Sequence, residues 1–313
     1  MLDVVVLFFL LGLLAGFTKS GLKLPAALYD SLSLVLLLTI GLKGGEGLAQ
    51  QEILPLLPQL GAVIVLGAVQ TLLVFLVLSH VGRLSRVDAA STAAHYGSVS
   101  VATFAVGANW LMTREIGFEP QLTIFLTVME VPAIMVGIVL ARGVSRETQW
   151  GVLAHETFLG KGVILLLGGM AIGWIAGPEG LAPIKGLFFD LFKGALALFL
   201  LEMGLIVARQ AGELRRQGVF LLIFGLVTPL CSAVLGLGCG MLLGLSVGGL
   251  TLMATLAASA SYIAVPATMR LAVPEANPAL SLSAVLGVTF PFNIIVGVPL
   301  YHWMAAYLTG VSA

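Results

Sequence analysis

Long apolar runs separated by short polar breaks dominate the sequence. A helix needs about 20 residues to cross the hydrocarbon core of a bilayer, and the runs do not alternate apolar and polar residues as membrane β-strands do. The pattern therefore predicts an all-α polytopic membrane protein with about ten transmembrane helices. The predicted spans are residues 2–18, 26–45, 55–80, 89–112, 120–142, 158–176, 187–208, 217–244, 249–273 and 279–308.

Composition excludes several classes of protein. Of the 313 residues, 59% are hydrophobic and 10% are charged, whereas about 25% are charged in an ordinary soluble domain. Fifteen basic residues balance fifteen acidic ones, so the chain lacks the basic excess of a nucleic-acid-binding protein. The sequence has no Walker A loop, no Gly-x-Ser-x-Gly elbow and no His-Glu-x-x-His. We therefore expect neither an enzyme nor an organic cofactor.

The basic residues predict an orientation. If the N-terminus lies outside, the cytoplasmic connections contain eleven Lys and Arg residues and the outer connections four. Cytoplasmic loops of membrane proteins carry the excess of Lys and Arg. The sequence thus predicts a protein of the plasma (inner) membrane with both termini outside and the connecting loop 143–157 in the cytoplasm.

Three short segments recur in order at nearly constant spacing, which indicates an internal repeat. Two halves of five spans would be 1–142 and 158–313, joined by 143–157. Because five is odd, the halves would be inverted relative to each other, as in many secondary transporters. The matching segments are 36–42 with 199–205, 98–100 with 259–261, and 136–140 with 296–300.

Spans 4 and 9 correspond in the two halves and are the most polar. Gly97 and Pro266 disfavour a continuous helix at similar depths, so we expect both spans to be broken. The N-terminus of a half-helix attracts a small anion, whereas carbonyl and hydroxyl oxygens suit a cation such as Na⁺. Close helix packing is the alternative explanation for such small residues. The candidate residues are Ser98, Val99, Ser100, Thr103, Ser259, Ala260, Ser261 and Tyr262.

Glu130 is the most informative single residue, because a charge at the middle of a span is costly and usually functional. It precedes Val131-Pro132, and the proline leaves a backbone carbonyl free nearby. Glu202 is equally deep but has only apolar neighbours, so a packing hydrogen bond is the simpler interpretation. His95 is interpreted as a satisfied interior histidine, with proton relay as the alternative. Asn293 is a further candidate for lining the same cavity.

Several motifs in the same order resemble the sodium-dependent bicarbonate transporter family of cyanobacteria and its bacterial relatives. They cover nearly the whole chain. The motifs are Ile40-Gly41-Leu42-Lys43-Gly44-Gly45, Gly97-Ser98-Val99-Ser100, Met129-Glu130-Val131-Pro132, Ala258-Ser259-Ala260-Ser261-Tyr262 and Pro274-Glu275-Ala276-Asn277-Pro278.

The resemblance implies ten spans in two inverted halves, a trimer, and Na⁺-coupled bicarbonate uptake where two broken helices meet. It places the first broken-helix site at Ser98, Ser100 and Thr103, the acid before a proline at Glu130, and the second site at Ser259 and Ser261. We expect the substrate at the candidate residues of spans 4 and 9 and the cation at Glu130, Ser100, Thr103 and Ser261. Cyanobacterial members have Asp where Glu130 stands and another Asp close to Tyr262. The central loop of those members is longer than 143–157, and whether a PII-like regulator binds this chain stays open.

The sequence thus predicts a secondary active transporter that moves a small anion, with Na⁺-coupled bicarbonate symport as the first hypothesis. A proton-coupled carrier of another small carboxylate or anion is the first alternative, with Glu130 binding the proton. A passive channel or a membrane sensor is the alternative from a different class.

Overall fold

A computed structural model describes residues 3–49, 54–143, 151, 155 and 159–310. Its described residues contain helices and no strands, in agreement with the predicted all-α class. The predicted connecting loop 143–157 lies, apart from Gly143, Gly151 and His155, outside the described residues. The helices of the first part of the chain are α1 (Val4–Phe17), α2 (Ala26–Leu48), α3 (Leu56–His80), α4 (Arg86–Gly97), α5 (Val101–Met112), α6 (Leu122–Val128) and α7 (Glu130–Arg142).

The second part follows a similar order. Between α13 and α14 the helical path continues through two π-helical turns, Val285–Thr289 and Asn293–Gly297. The helices are α8 (Lys161–Leu181), α9 (Phe192–Gln217), α10 (Val219–Leu242), α11 (Val247–Ala258), α12 (Ala264–Ala272), α13 (Pro278–Ala284) and α14 (Val298–Thr309).

Six helical segments of the described chain are long and apolar enough to cross a membrane, which makes this a multi-pass protein. Three of the remaining predicted spans differ for identifiable reasons. Helix α1 has 14 residues, and spans 4 and 9 are each divided in two. Ten spans and an inverted repeat therefore stay predictions at this stage. The six segments are Ala26–Leu48, Leu56–His80, Leu122–Arg142, Lys161–Ile184, Val219–Leu242 and Pro278–Thr309.

The helices pack as two groups. Helix α1 packs along α9 and α2 packs along α8, and α2 also contacts α9. Glycines permit this close approach: a Cβ at Gly12 would collide with the carbonyl oxygen of Leu201, and one at Gly173 with that of Leu42. In the second group α4 packs on α3 and α7, while α11 packs on α10 and α14. The divided helices thus lie within the second group.

Candidate functional site

The first interruption separates α4 from α5. Helix α4 ends at Gly97, and Ser98 is extended, with φ −89° and ψ 179°. A Cβ at Gly97 would collide with the hydroxyl oxygen of Thr71 on α3, so only glycine lets the two helices meet there. Helix α5 restarts after Ser100, whose hydroxyl accepts a hydrogen bond from the Thr103 backbone N–H at 3.2 Å. This is an ordinary serine N-cap.

The second interruption separates α11 from α12 and is longer. Helix α11 ends at Ala258, Ser259 is extended with φ −79° and ψ 170°, and α12 begins at Ala264. The preceding residue, Ile263, supplies no side-chain cap. The sequence predicts a break at Pro266, but Pro266 is the third residue of α12, where proline is tolerated. The chain leaves the helix earlier, at Ser259.

Hydrogen bonds join the two interruptions directly. The Ser100 N–H donates to the Ser259 hydroxyl at 2.9 Å, and that hydroxyl donates to the Leu256 carbonyl at 2.8 Å. The Ser261 N–H donates to the His95 carbonyl at 2.8 Å. The His95 ring Nδ1 lies 2.6 Å from the Ser261 carbonyl, to which it donates in the tautomer protonated at Nδ1. His95 and Ser259 therefore hold the two interrupted segments together where they cross.

Two amide side chains, Gln70, which is not among the sequence-based candidates, and Asn293, satisfy the ends of the first half-helices. The Gln70 side-chain amide of α3 donates to the Tyr96 carbonyl at 2.5 Å and to the Ala257 carbonyl at 2.6 Å. Asn293 donates to the Ala258 carbonyl at 2.8 Å. The last carbonyls of a helix lack intrahelical partners, and these amides supply them. An isolated glutamine in an apolar helix was the available sequence signal.

Asn293 does not line the cavity predicted for it. Its amide oxygen accepts a hydrogen bond from the Tyr301 hydroxyl at 2.6 Å, and its side chain is fully buried. It is a bracing residue behind the second interruption.

A cavity of about 280 Å³ lies in front of both interruptions. It extends to the beginnings of α2 and α8, at Ser33 and Lys161. Of the sequence candidates, Val99, Ser100, Ser261, Tyr262 and Glu130 line it. The structure thus brings the two polar spans and the span-5 acid together around one space, which their separation in the sequence does not require.

Glu130 is the only acidic side chain that lines this cavity among the described residues. It is the first residue of α7 and is half-buried. No ion pair involves its carboxylate within the described part of the chain. The buried residues Thr127 and Thr268 also line the cavity. Carboxylate and hydroxyl oxygens are suitable ligands for a hard cation.

Tyr262 belongs to the second interruption and lines the cavity. Its ring packs edge-on against Phe290, with 5.5 Å between the centroids. Its hydroxyl oxygen is buried and has no hydrogen-bond partner among the described residues. A buried hydroxyl without a partner is costly, so a ligand in the cavity would relieve this cost.

The remaining candidates do not line the cavity. Ser98, Thr103, Ser259 and Ala260 are buried outside its lining, and the Ser98 hydroxyl has no partner among the described residues. Glu202, the second deep acid, is buried away from the cavity and bonded to Arg209 at 3.0 Å, which matches its interpretation as a packing residue.

The family comparison covers nearly the whole chain. Residues 4–306 match the model of the Na⁺-dependent bicarbonate transporter superfamily. No curated protein matches the sequence. The chain belongs to the Na⁺-dependent bicarbonate transporter superfamily.

Proposed function

We propose that this protein is a secondary active transporter that carries bicarbonate into the cell together with Na⁺. The observation that carries the proposal is the single cavity lined by both helix interruptions and by Glu130. Membership of the superfamily supports bicarbonate as the substrate.

The anion binds, in this proposal, at the second interruption. The first backbone N–H groups of a helix lack intrahelical acceptors and carry partial positive charge. Ile263 and Ala264 bring the start of α12 to the cavity wall, next to the hydroxyls of Ser261 and Tyr262. These donors suit the oxygens of bicarbonate.

The cation binds beside Glu130. Its carboxylate, with hydroxyl groups such as that of Thr127, supplies the oxygen ligands that Na⁺ prefers. An uncompensated charge inside a membrane is costly. Binding Na⁺ and an anion in one cavity offsets both charges, which couples their movements.

The proposed architecture is ten spans in two inverted halves, and reciprocal contacts support it. The first span contacts the second span of the other half, α1 on α9, and the second span contacts the first of the other half, α2 on α8. At the start of α4, Asp88 accepts from the Asn277 N–H at 2.8 Å; at the start of α11, Glu119 accepts from the Ser246 N–H at 2.6 Å. Each contact joins the start of a divided span in one half to the start of the last span of the other.

The same proposal fixes the orientation and the movement. With both termini outside and the protein in the plasma membrane, the cavity opens towards the cytoplasm at Ser33 and Lys161. Alternating access then moves the group containing the interruptions against the group formed by α1, α2, α8 and α9.

Uptake of labelled bicarbonate into proteoliposomes tests this function. We expect accumulation driven by an inward Na⁺ gradient, absent with K⁺ in its place, and lost in Glu130→Gln. Glu202→Gln is the matched control, because Glu202 is bonded to Arg209 and lies outside the cavity lining. Uptake driven equally well by a pH gradient without Na⁺ would instead assign Glu130 to proton coupling. A folded wild-type protein without bicarbonate uptake would contradict the proposal.

A further inference from the structure

A second cavity, of about 340 Å³, lies beyond the first along the same helices. On α5, Ala102 and Ala105 line the first cavity. Ala108 and Met112, further along the same helix, line the second. Residues three or four positions apart share one face of a helix. The second cavity is therefore a continuation of the first along α5 and not a pocket on another side.

Helices α2 and α6 show the same succession. On α2, Leu36 and Leu37 line the first cavity and Ile40 lines the second. On α6, Leu126 lines the first and Thr123 the second. At 1.5 Å per residue, the change on each helix takes place within about 5 Å. The buried apolar side chains of Ile40 and Phe104 line the second cavity only.

Lys43 is the basic residue in the lining of this second cavity. Its ammonium lies 3.3 Å from the Met112 sulfur and 5.5 and 5.7 Å from the ring centroids of Phe189 and Phe192. None of these groups carries a negative charge. Among the described residues no carboxylate lies within ion-pair distance of it, so its charge is available to a ligand.

We propose that this second cavity is the outer half of the substrate path and that Lys43 receives the incoming small anion there. The proposal rests on the transport function proposed above and adds a binding group outside the site at the interruptions. Glu46, one turn further towards the end of α2, lines the same cavity. A cation beside a shaped cavity raises the local concentration of anions and their rate of arrival.

Thiol labelling tests the path without reference to any substrate. Val101→Cys lines the first cavity and Ala108→Cys the second, in a background where the two native cysteines, Cys231 and Cys239, are replaced by serine. In right-side-out and inside-out vesicles, a membrane-impermeant thiol reagent should reach position 108 from the outside and position 101 from the inside. Absence of labelling at position 108 from the outside, in a protein that is labelled at position 101 from the inside, would overturn the proposal.

Uptake kinetics test Lys43. We expect Lys43→Gln to raise the bicarbonate concentration for half-maximal uptake about tenfold and to weaken its dependence on ionic strength, whereas Lys43→Arg stays near wild type. Glu46→Gln, which removes the opposite charge from the same cavity, should lower that concentration or leave it unchanged. A wild-type value in Lys43→Gln would overturn the proposal. Absent wild-type transport would count against the proposed function, and the labelling result would still decide the path.

Discussion

The two helix interruptions are alike where the first half-helix ends and different where the second half-helix begins. Ser98 and Ser259 have nearly the same extended conformation. After them, α5 starts on a serine cap, whereas α12 starts on Ile263 without one. The nearest substitute is the Ser261 hydroxyl, 3.4 Å from the Val265 N–H.

This difference indicates that the two interruptions have different roles. In the first interruption the Thr103 N–H bonds to the Ser100 hydroxyl, and the Ser100 N–H bonds to the Ser259 hydroxyl. The second has no side-chain cap at Ile263. The first N–H groups of a helix lack intrahelical acceptors, so an anion in the cavity can accept from them at the start of α12. The inverted repeat proposed above would thereby carry an asymmetric site.

The largest expected effect comes from Gln70→Leu, because Gln70 bonds a carbonyl before each interruption. Each buried carbonyl left unpaired costs about 1–3 kcal/mol. We expect a lower melting temperature in detergent and loss of bicarbonate uptake. Gln121→Leu is the control, since Gln121 is also buried but its side chain, among the described residues, hydrogen-bonds only to Gln59, at 3.5 Å. Equal effects of the two variants would show that Gln70 has no special relation to the interruptions.

A smaller effect should separate the two corresponding serines. Ser259→Ala removes the acceptor of the Ser100 N–H and should lower the free energy of unfolding by about 1–3 kcal/mol. Ser98→Ala removes a hydroxyl that has no partner among the described residues, so stability should change little. Thermal unfolding of both variants measures the difference. A larger loss of stability in Ser98→Ala than in Ser259→Ala would contradict the assignment of Ser259 as the residue that joins the two interruptions.

Tyr262→Phe tests the second interruption alone. Its hydroxyl has no protein partner among the described residues, so the variant should fold as stably as wild type. If the hydroxyl donates to the anion, the bicarbonate concentration for half-maximal uptake should rise about threefold to tenfold, the worth of one hydrogen bond. Tyr301→Phe removes a hydroxyl bonded to Asn293 at 2.6 Å and should lower stability instead. Unchanged kinetics in Tyr262→Phe would assign Tyr262 to filling space.

The smallest effect concerns the far end of α12. Arg142 at the end of α7 pairs with Glu275 at 2.9 Å, in the turn that follows α12. The Glu275 carboxylate accepts a hydrogen bond from the Glu275 backbone N–H and another from the Arg142 guanidinium. Both hold the pKa of Glu275 below its usual value. A lowered pKa stabilises the fold at neutral pH, and this contribution disappears as the pH falls through that pKa. The small difference in melting temperature between wild type and Glu275→Gln should therefore vanish in acid; a difference that grew in acid would exclude this pair as its source.

Local patterns were sufficient for the helices and for the positions of both interruptions. Apolar runs predicted the helical segments, and the small hydroxyl residues around Ser98 and Ser259 lie where the helices divide. The predicted cause of the second interruption, Pro266, was wrong. Proline interrupts a helix in its interior but is tolerated in the first turn, and Pro266 lies in the first turn of α12.

The hydrogen bonds that assemble the site were beyond local patterns. Gln70 and Ala257 are 187 residues apart, and His95 and Ser261 are 166 apart. Only tertiary packing brings such partners together. The same packing buries Ser98 and Ser259 outside the cavity, although they are of the same residue type as Ser100 and Ser261, which line it.

The most direct test of coupled transport is the reverse experiment, in which bicarbonate drives Na⁺. An inward bicarbonate gradient at equal Na⁺ should make proteoliposomes accumulate radioactive Na⁺, because coupling between two ligands is reciprocal. We expect accumulation with wild type and with Glu202→Gln and none with Glu130→Gln. Na⁺ entry that is indifferent to bicarbonate in a folded wild-type protein would contradict it.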